Sequence, residues 1–348
     1  MSEIKFTMAA RCEAAGRPKN EDNFQLTDNL SDGKWGFVTD NEVTLNEKGA
    51  LMVVCDGMGG MKAGATASNL AVRTIKEWFE PDRLTPDVMA SDASILQHIE
   101  QAIIAADETI KEAGQQNSDL EGMGSTVVMV WIVANKVYTG WCGDSRAYRF
   151  NSTSGLERLS HDHSYVQELV DNGKLSKELA FDHPDSNIIT RSLGDYRRQA
   201  QPDVNCFPLK NGDTILLCSD GLCGVLRDGE IESILANNAG SLGDCRDALW
   251  TESEKVGWID NVTVALCRIE SGIENPEQIE EKTEEPTSLE NPFIATAANK
   301  RKPRIGLIIL IILIILLLSG IAFEVVHFLL KGNWWIPDIL LPYLNIKL

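Results

Sequence analysis

The chain has 348 residues, of which 43% are hydrophobic, so it is long and apolar enough to build a full core as one large domain or two ordinary ones. Its net charge of −19 excludes nucleic acid as a partner, because a protein that binds DNA or RNA needs a basic surface. Eight cysteines without a CxxC pair predict buried free thiols in a reducing compartment, and neither a disulfide framework nor a zinc site.

The first predicted elements follow an N-terminus that has no apolar run of the kind found in signal peptides. An apolar strand is predicted at 51–56, and it ends abruptly on Asp56 and a glycine-rich turn. Apolar residues then recur at helical spacing over 67–79, which predicts a helix. A second helix is predicted at about 94–113, with Gly114 as its stop.

Four more strands are predicted from β-branched runs with turn residues between them, at 126–133, 136–144, 214–220 and 261–269. The two long helices fall together between strands, so the chain does not show a regular βαβα alternation. An α+β fold built on largely antiparallel sheets is therefore predicted for a domain that covers residues 1–269.

The C-terminal part of the sequence predicts a membrane anchor. Residues 270–304 are acidic, contain proline and end in the basic cluster KRKPR, which is typical of a disordered linker. Residues 305–323 carry no charge, so a single transmembrane helix is predicted at 305–327. The basic flank predicts a cytoplasmic N-terminal domain, and residues 328–348 then form a short non-cytoplasmic or interfacial tail.

Acidic residues recur where the predicted strands begin or end, and one more acidic pair lies near the N-terminus. If these carboxylates converge, their repulsion must be neutralised, and hard divalent cations with oxygen ligands do this. No matching His or Cys accompanies them, so the set predicts Mg²⁺ or Mn²⁺ and not Zn²⁺. Two such ions about 4 Å apart are a common arrangement for hydrolysing phosphate esters. The acids are Glu21, Asp22, Asp56, Asp144, Asp220 and Asp260.

Eight short motifs follow one another along the chain: RPKNED (17–22), VCDGMGG (54–60), GSTVV (124–128), GDSRAY (143–148), LSHDHS (159–164), NIITRSLGD (187–195), CSDGL (218–222) and DNVTV (260–264). In this order they resemble the metal-dependent protein Ser/Thr phosphatases of the PP2C (PPM) family in their bacterial form. No single motif is specific, but eight in the family's order make chance a poor explanation. The resemblance covers about residues 5–269 and implies a central antiparallel β-sandwich flanked by helix pairs, with metal ions at one sandwich edge.

The resemblance implies that Asp56 is catalytic and bridges two central metal ions, Mn²⁺ or Mg²⁺. The carbonyl of Gly57 would join it, since glycine lets the backbone approach an ion closely. Glu21 or Asp22 would complete the ligation, partly through water. A hydroxide shared by the two ions would then attack phosphorus in line, and no covalent phosphoenzyme is needed.

Asp220 and Asp260 are implied to hold one ion from the far side of the site. Asp144 or Asp162 would join Asp220 at a third, weaker metal site, and the sequence does not choose between them. Asp144 can equally be read as a structural cap of its own GDSR turn. Arg17 is implied to bind the phosphate and to be catalytic, because a planar guanidinium matches phosphate oxygens better than a lysine does.

Three lone histidines, His161, His163 and His183, are candidate general acids, although most lone histidines are structural. Eukaryotic relatives place a histidine directly after the DG pair, where this chain has Met58. That departure leaves the proton donor to the leaving serine unassigned, and a metal-bound water is the favoured source. Residues 165–187 resemble the mobile flap that bacterial members carry beside the site.

The implied function is metal-dependent hydrolysis of phosphoserine and phosphothreonine in proteins at the cytoplasmic face of a membrane. The implied partners are phosphorylated proteins, including a Ser/Thr kinase. One alternative is a catalytically weak, membrane-tethered pseudophosphatase that binds phosphoproteins, and the intact set of acids argues against it. A second alternative is a receptor that senses outside signals through its tail, which is too short for a sensor domain.

Overall fold

The computed structural model describes residues 3–60 and 62–274. The predicted transmembrane helix at 305–327, the tail at 328–348 and nearly all of the predicted linker lie outside the described residues. Within the described part of the chain, no helix is long and apolar enough to cross a membrane. The eight cysteines all lie in this part and are all free, and six of them are buried.

The described residues form strands and helices in the following chain order. The strands are β1 (Lys5–Glu13), β2 (Asn23–Thr27), β3 (Val43–Thr44), β4 (Ala50–Cys55), β5 (Gly57–Met58), β6 (Gly124–Ser125), β7 (Val127–Val133), β8 (Lys136–Cys142), β9 (Arg146–Asn151), β10 (Gly155–Arg158), β11 (Asp203–Pro208), β12 (Thr214–Cys218) and β13 (Val262–Ser271). The helices are α1 (Ala63–Trp78), α2 (Asp92–Gln116), α3 (Tyr165–Asp171), α4 (Lys177–Phe181), α5 (Asp220–Cys223), α6 (Asp228–Asn237) and α7 (Leu242–Val256).

Two antiparallel sheets form the centre of the domain. One sheet has the order β10-β9-β12-β13-β1-β3 and the other has the order β11-β8-β7-β4-β2. The short strands β5 and β6 form a separate pair. Since β1 pairs with β13 along its length, the first and last strands of the described domain lie side by side within one sheet. The predicted α+β fold with antiparallel sheets is therefore confirmed.

Three apolar layers hold the sheets and helices together. In β4, Met52 and Val54 face the layer between the two sheets, whereas Leu51 and Val53 face α1 and α2. This strand is buried on both faces, which explains why its sequence is apolar without alternation. On the other side, α6 and α7 pack against the six-stranded sheet. The order of layers is helices, sheet, sheet, helices, as the family resemblance implied.

The observed elements differ from the predicted ones in a few places. The strand predicted at 214–220 ends at Cys218, because Asp220 begins the short helix α5. The second helix is longer than predicted, since Ser91 caps its N-terminus and it begins at Asp92. The last strand continues to Ser271, two residues past the predicted domain boundary. The segment compared to a flap contains the two short helices α3 and α4.

Antiparallel register brings the strand ends that carry acids to one edge of the sandwich. In the six-stranded sheet, Cys218 of β12 lies opposite Arg146 of β9 and opposite Val264 of β13. In the five-stranded sheet, Asn23 of β2 lies opposite Cys55 of β4. The acids come just beyond these paired residues, so they emerge together; they are Asp22, Asp56, Asp144, Asp220 and Asp260.

The segment that follows α4 is fastened to the domain by a buried carboxylate. Asp107 in α2 is 0% exposed, and its two oxygens accept the N–H groups of Gly194 at 2.7 Å and Ala200 at 2.9 Å. Leu193, in the same segment, exchanges backbone hydrogen bonds of 2.8 and 3.1 Å with Ser125. The NIITRSLGD motif therefore anchors this segment beside the strand end that carries the Asp56 turn.

We expect Asp107→Ala to lower the free energy of unfolding by about 3 kcal/mol, because it breaks an ion pair with Lys111 and leaves two buried N–H groups without partners. Urea unfolding measures this loss. Glu112→Ala, at an exposed position of the same helix, is the matched control and should stay within about 0.5 kcal/mol of the wild type. A loss below about 1 kcal/mol for Asp107→Ala would mean that this carboxylate does not hold the segment.

Candidate metal centre and active-site cleft

A cleft of about 1090 Å³ opens at the sandwich edge where the acids meet. Asp144, Asp220, Asp260 and Arg17 contribute to its lining, together with side chains from α3 and α4. Residues 165–187, the segment that resembles a flap, therefore form part of the cleft wall. A space of this size admits part of another molecule, so the three acids that line it are reachable from outside the domain.

Asp22 joins the two sheets at this edge. Its side chain is 7% exposed, and its Oδ2 accepts hydrogen bonds of 2.7 Å from the hydroxyls of Ser219 and Thr263, which lie on the opposite sheet. Burial raises the pKa of Asp22 to about 7, and the charges of Asp220 and Asp260 add to the effect, while the two hydroxyl bonds partly offset it. Its Oδ1 has no hydrogen-bond partner and remains available.

Asp56 is positioned through its backbone. Its N–H donates to Thr126 Oγ1 at 3.0 Å, and its carbonyl accepts from Ser125 Oγ at 3.0 Å and from the Thr126 N–H at 2.8 Å. The pKa of its carboxyl is raised well above the usual value, first by burial and then by the nearby charges of Asp220 and Asp22. The carboxylate is thus held in place while it faces other acids.

Asp220 and Asp144 lie at the ends of neighbouring strands, and their carboxyl groups have similar surroundings. Each has a buried Oδ1 that lacks a hydrogen-bond partner, as Asp22 does. Burial raises the pKa of both carboxyls, and the positive charge of Arg146 partly offsets the rise at each of them. The charge of Asp260 adds to the rise at Asp220. Three unpartnered oxygens in one cluster of acids indicate a deficit of positive charge, which bound cations would supply.

Glu21 and Gly57 meet at the first turn of α1. A Cβ atom on Gly64 would lie 2.1 Å from Glu21 Oε2 and 2.8 Å from the Gly57 carbonyl oxygen. Both oxygens therefore lie close to the α-carbon of Gly64, which carries no side chain. Burial raises the pKa of Glu21, and the charge of Asp260 adds to this rise. The side-chain oxygen of Asn261 accepts the Glu21 N–H at 2.8 Å and fixes the backbone. Sequence reasoning missed Gly64, whose small size allows this approach.

Arg17 reaches the same edge from the loop before β2. Its Nη2 donates to Asp260 Oδ2 at 2.8 Å, and its side chain is 53% exposed. The hydrogen bond and the charge of Asp260 raise the pKa of the guanidinium. Arg17 therefore lines the cleft in contact with one candidate metal ligand and can still meet an incoming anion.

Asp162 is placed differently from the other acids. Arg146 donates to both of its oxygens, at 2.7 to 3.0 Å, and Arg158 lies 3.2 Å from Oδ1. Two arginines therefore neutralise this carboxylate, whereas Asp144 keeps an unpartnered oxygen. Sequence reasoning missed Arg146, although it lies in the GDSRAY motif, because nothing in the sequence indicates its partner.

The three histidines have different surroundings. The ring of His163 is 3% exposed, its Nδ1 accepts the Gly143 N–H at 3.2 Å, and its Nε2 lies 3.1 Å from Asp203 Oδ2. Burial lowers the pKa of His163. His161 and His183 each lie beside an exposed acid. His163 is therefore a neutral, internal group and not a proton donor at the cleft.

The donor set suits hard divalent cations in its chemistry. It consists of carboxylate oxygens, three of them unpartnered, and the carbonyl of Gly57. In residues 3–60 and 62–274, no group of three or more His, Cys, Asp or Glu side chains is already arranged around an ion position.

Comparison with known sequences identifies the family. The family model for protein phosphatase 2C matches residues 39–251, which is more than half of the chain. The serine/threonine phosphatase stp of Listeria innocua is 34% identical over 221 residues, which cover 63% of this chain and 84% of that protein. Protein phosphatase PhpP of Streptococcus pneumoniae is 34% identical over 224 residues, which cover 64% of this chain and 87% of that protein.

Solved structures agree with the sequence matches. The serine/threonine phosphatase of S. agalactiae aligns with a TM-score of 0.63 at 30% identity and covers 76% of this chain and 100% of its own. The catalytic domain of the serine/threonine phosphatase PstP, solved in complex with two manganese ions, aligns with a TM-score of 0.61 at 26% identity, covering 77% of this chain and 100% of its own. Together with the cluster of acids, these matches show that the chain belongs to the protein phosphatase 2C family, as a protein serine/threonine phosphatase of the bacterial type.

Proposed function

We propose that this chain hydrolyses phosphoserine and phosphothreonine in proteins at the acidic edge of the sandwich, with two Mn²⁺ or Mg²⁺ ions as cofactors. The observation that carries the proposal is the set of unpartnered carboxylate oxygens on Asp22, Asp144 and Asp220, of which the last two line the cleft. The PstP domain solved with two manganese ions supports the choice of metal. The residues assigned to the two ions are Asp56, the carbonyl of Gly57, Glu21, Asp22, Asp220 and Asp260.

When bound, the ions would neutralise the carboxylates, activate a water molecule as the nucleophile and stabilise charge on the phosphate oxygens. The chain's own residues supply the orientation. Ser125 and Thr126 fix the backbone of Asp56, so its carboxylate keeps one position in the cluster. Arg17, held by Asp260 and exposed in the cleft, binds phosphate oxygens and orients the phosphorus atom toward the acids.

For the third, weaker metal site, the contacts favour Asp144 over Asp162. Asp144 and Asp220 each keep a buried oxygen without a partner, and the charge of Asp220 raises the pKa of Asp144. Asp162 already receives hydrogen bonds from Arg146 and an ion pair from Arg158. A cation near Asp162 would have to displace two arginines, which costs more than filling the unpartnered position at Asp144.

Removing the proposed ligands tests the function. Asp56→Asn, Asp220→Asn and Asp260→Asn should each lower Mn²⁺-dependent hydrolysis of a phosphothreonine peptide by at least about a hundredfold. The metal-free Asp56→Asn protein should melt at no lower temperature than the wild type, because one charge leaves a cluster that repels itself. Asp87→Asn, an exposed acid elsewhere in the chain, is the control and should keep full activity.

Normal turnover by Asp56→Asn would contradict the assignment of the metal centre. A wild-type protein that binds phosphopeptide tightly in Mn²⁺ but releases no phosphate would favour the pseudophosphatase alternative. The two results are separable, because the first is measured on the variant and the second on the wild type.

Substitution of Arg17 tests the proposed phosphate contact. Arg17→Ala should raise KM for the phosphopeptide and lower kcat/KM by about ten- to a hundredfold, because a charged and partly bidentate contact is lost. Arg17→Lys should recover part of the loss, since it restores the charge but not the planar fork. Lys19→Ala, an exposed neighbour in the same loop, should leave both constants unchanged. Unaltered kinetics for Arg17→Ala would assign the phosphate to another group.

We further propose that the chain between β13 and residue 304 tethers the phosphatase domain to one transmembrane helix at 305–327, with the domain in the cytoplasm. The uncharged run at 305–323 and the basic residues at 300–304 support this proposal. A flexible tether of this length has a root-mean-square reach of about 30–35 Å. The active site would then act on phosphoproteins near the membrane, including a Ser/Thr kinase held there.

Two measurements test this topology. A reporter fused after Leu348 should report a position outside the cytoplasm, because one span places residues 328–348 on the far side. Deletion of residues 298–348 should yield a soluble domain with unchanged peptide kinetics and slower action on a membrane-bound phosphoprotein. A cytoplasmic signal from the reporter would rule out a single span.

A further inference from the structure

His163 lies where the turn that carries Asp144 meets the base of segment 165–187. Its ring packs on Trp141, with 6.2 Å between the ring centres, and is 3% exposed. Its Nδ1 accepts the N–H of Gly143 at 3.2 Å, and its own backbone N–H donates to the Gly143 carbonyl at 2.9 Å. His163 therefore binds both backbone polar groups of the residue that precedes Asp144.

The tautomer of His163 follows from its partners. Because the Gly143 N–H can only donate, Nδ1 is the unprotonated nitrogen, and Nε2 carries the proton and donates to Asp203 Oδ2 at 3.1 Å. Arg191 Nη1 lies 3.3 Å from Nε2 as well, but the proton on Nε2 leaves it no acceptor there, so Arg191 donates to the other oxygen of Asp203, at 3.2 Å. Asp203, which is held by Arg191, thus orients the ring through Nε2, and Nδ1 is left directed at the turn.

The backbone of His163 also closes the base of segment 165–187. Its carbonyl accepts the Thr190 N–H at 2.8 Å, and the next residue, Ser164, forms an antiparallel bridge with Ile189. One residue therefore connects the cleft wall to the turn at Gly143.

The turn needs such support because the Asp144 carboxylate bonds to its own backbone, so its place depends on where that backbone lies. Gly143 has a φ of +127°, and a Cβ there would lie 2.6 Å from Thr126 Cβ, so the turn is tight and glycine-specific. The Oδ1 of Asp144 has no partner, and the charge of Asp220 repels the carboxylate. Its position is therefore set by the backbone that precedes it.

We propose that His163 is a positioning residue: through the hydrogen bond from the Gly143 N–H to its Nδ1, it holds the Asp144 carboxylate in place toward the metal centre. This inference rests on the proposed function, since it takes Asp144 as a cation ligand. The role is geometric and involves no proton transfer, because the ring faces Gly143 and Asp203 and does not line the cleft.

Two amide substitutions separate the two hydrogen bonds of the ring. In His163→Asn, the amide oxygen takes the place of Nδ1 and can accept the Gly143 N–H, but the donor to Asp203 is lost. In His163→Gln, the amide nitrogen reaches the place of Nε2 and can donate to Asp203, but the acceptor for Gly143 is lost. Both variants lose the stacking on Trp141, so the loss of the ring itself does not distinguish them.

We expect His163→Asn to bind Mn²⁺ at the third, weaker site within about threefold of the wild type, and His163→Gln to bind it there at least about tenfold more weakly, as for other groups that orient metal ligands. Calorimetric titration with Mn²⁺ gives these affinities, and hydrogen exchange of the Gly143 amide reports the bond directly. Exchange should be slow in the wild type and His163→Asn and faster in His163→Gln. KM for phosphopeptide should not change in either variant, because Arg17 is untouched.

Equal Mn²⁺ affinities in the two variants would overturn the proposal and assign His163 to packing alone. Calorimetry decides this even if the wild type shows no turnover, a result that would refute only the proposed function. If neither variant folds, Asp203→Ala provides the test, because its side chain is 46% exposed and lies outside the core. Asp203→Ala should weaken Mn²⁺ binding severalfold, because the His163 ring loses the acceptor that orients it. Unchanged binding would also overturn the proposal.

Discussion

Repulsion among carboxylates at the sandwich edge is the constraint on which the rest of this domain depends. Asp22, Asp56, Asp144 and Asp220 meet where the two sheets close, and burial together with the neighbouring acids raises the pKa of each. Keeping them together costs free energy, which the three apolar layers offset. A cation that binds only the folded domain adds to its stability, so metal binding and folding are linked.

Hydroxyl groups do much of the positioning at this edge. Ser219 and Thr263 donate to Asp22, and Ser125 and Thr126 hold the backbone of Asp56. A hydroxyl orients a carboxylate without cancelling its charge, so the acid stays available for a metal ion. Arginine has the opposite effect at Asp162, where two guanidinium groups neutralise the carboxylate. The type of donor thus separates Asp22, whose negative charge is not cancelled, from Asp162, whose charge two arginines cancel.

The strand-end acids could be predicted because each interrupts an apolar run. Asp56 and Asp220 follow strands that are buried on both faces, so a carboxylate there has no packing explanation. The hydroxyl contacts could not be predicted, since Ser and Thr occur everywhere and their partners come from the opposite sheet. For the same reason the sequence does not choose between Asp144 and Asp162, since it does not show that Arg146 contacts Asp162.

The pairing of strands that are far apart in the chain could not be predicted either, and the sequence pattern of one helix was missed. No pattern within β1 or β13 indicates that they pair, because each is compatible with several neighbours. Helix α7 was not predicted, although Leu242, Cys245 and Leu249 recur at helical spacing and are buried. Periodicity thus carries information about single elements, whereas the site depends on contacts between elements far apart in the chain.

The central position of β13 sets an order of assembly during synthesis. It is the last strand of the described domain, yet it lies between β12 and β1 in the six-stranded sheet. In the sequence it begins at Val262, just after Asp260. A chain leaves the ribosome N-terminus first, so β1 waits without its main neighbour until almost the whole domain has been made. Neither the complete sheet nor the full set of acids exists before then, and a growing chain therefore carries no finished phosphatase site.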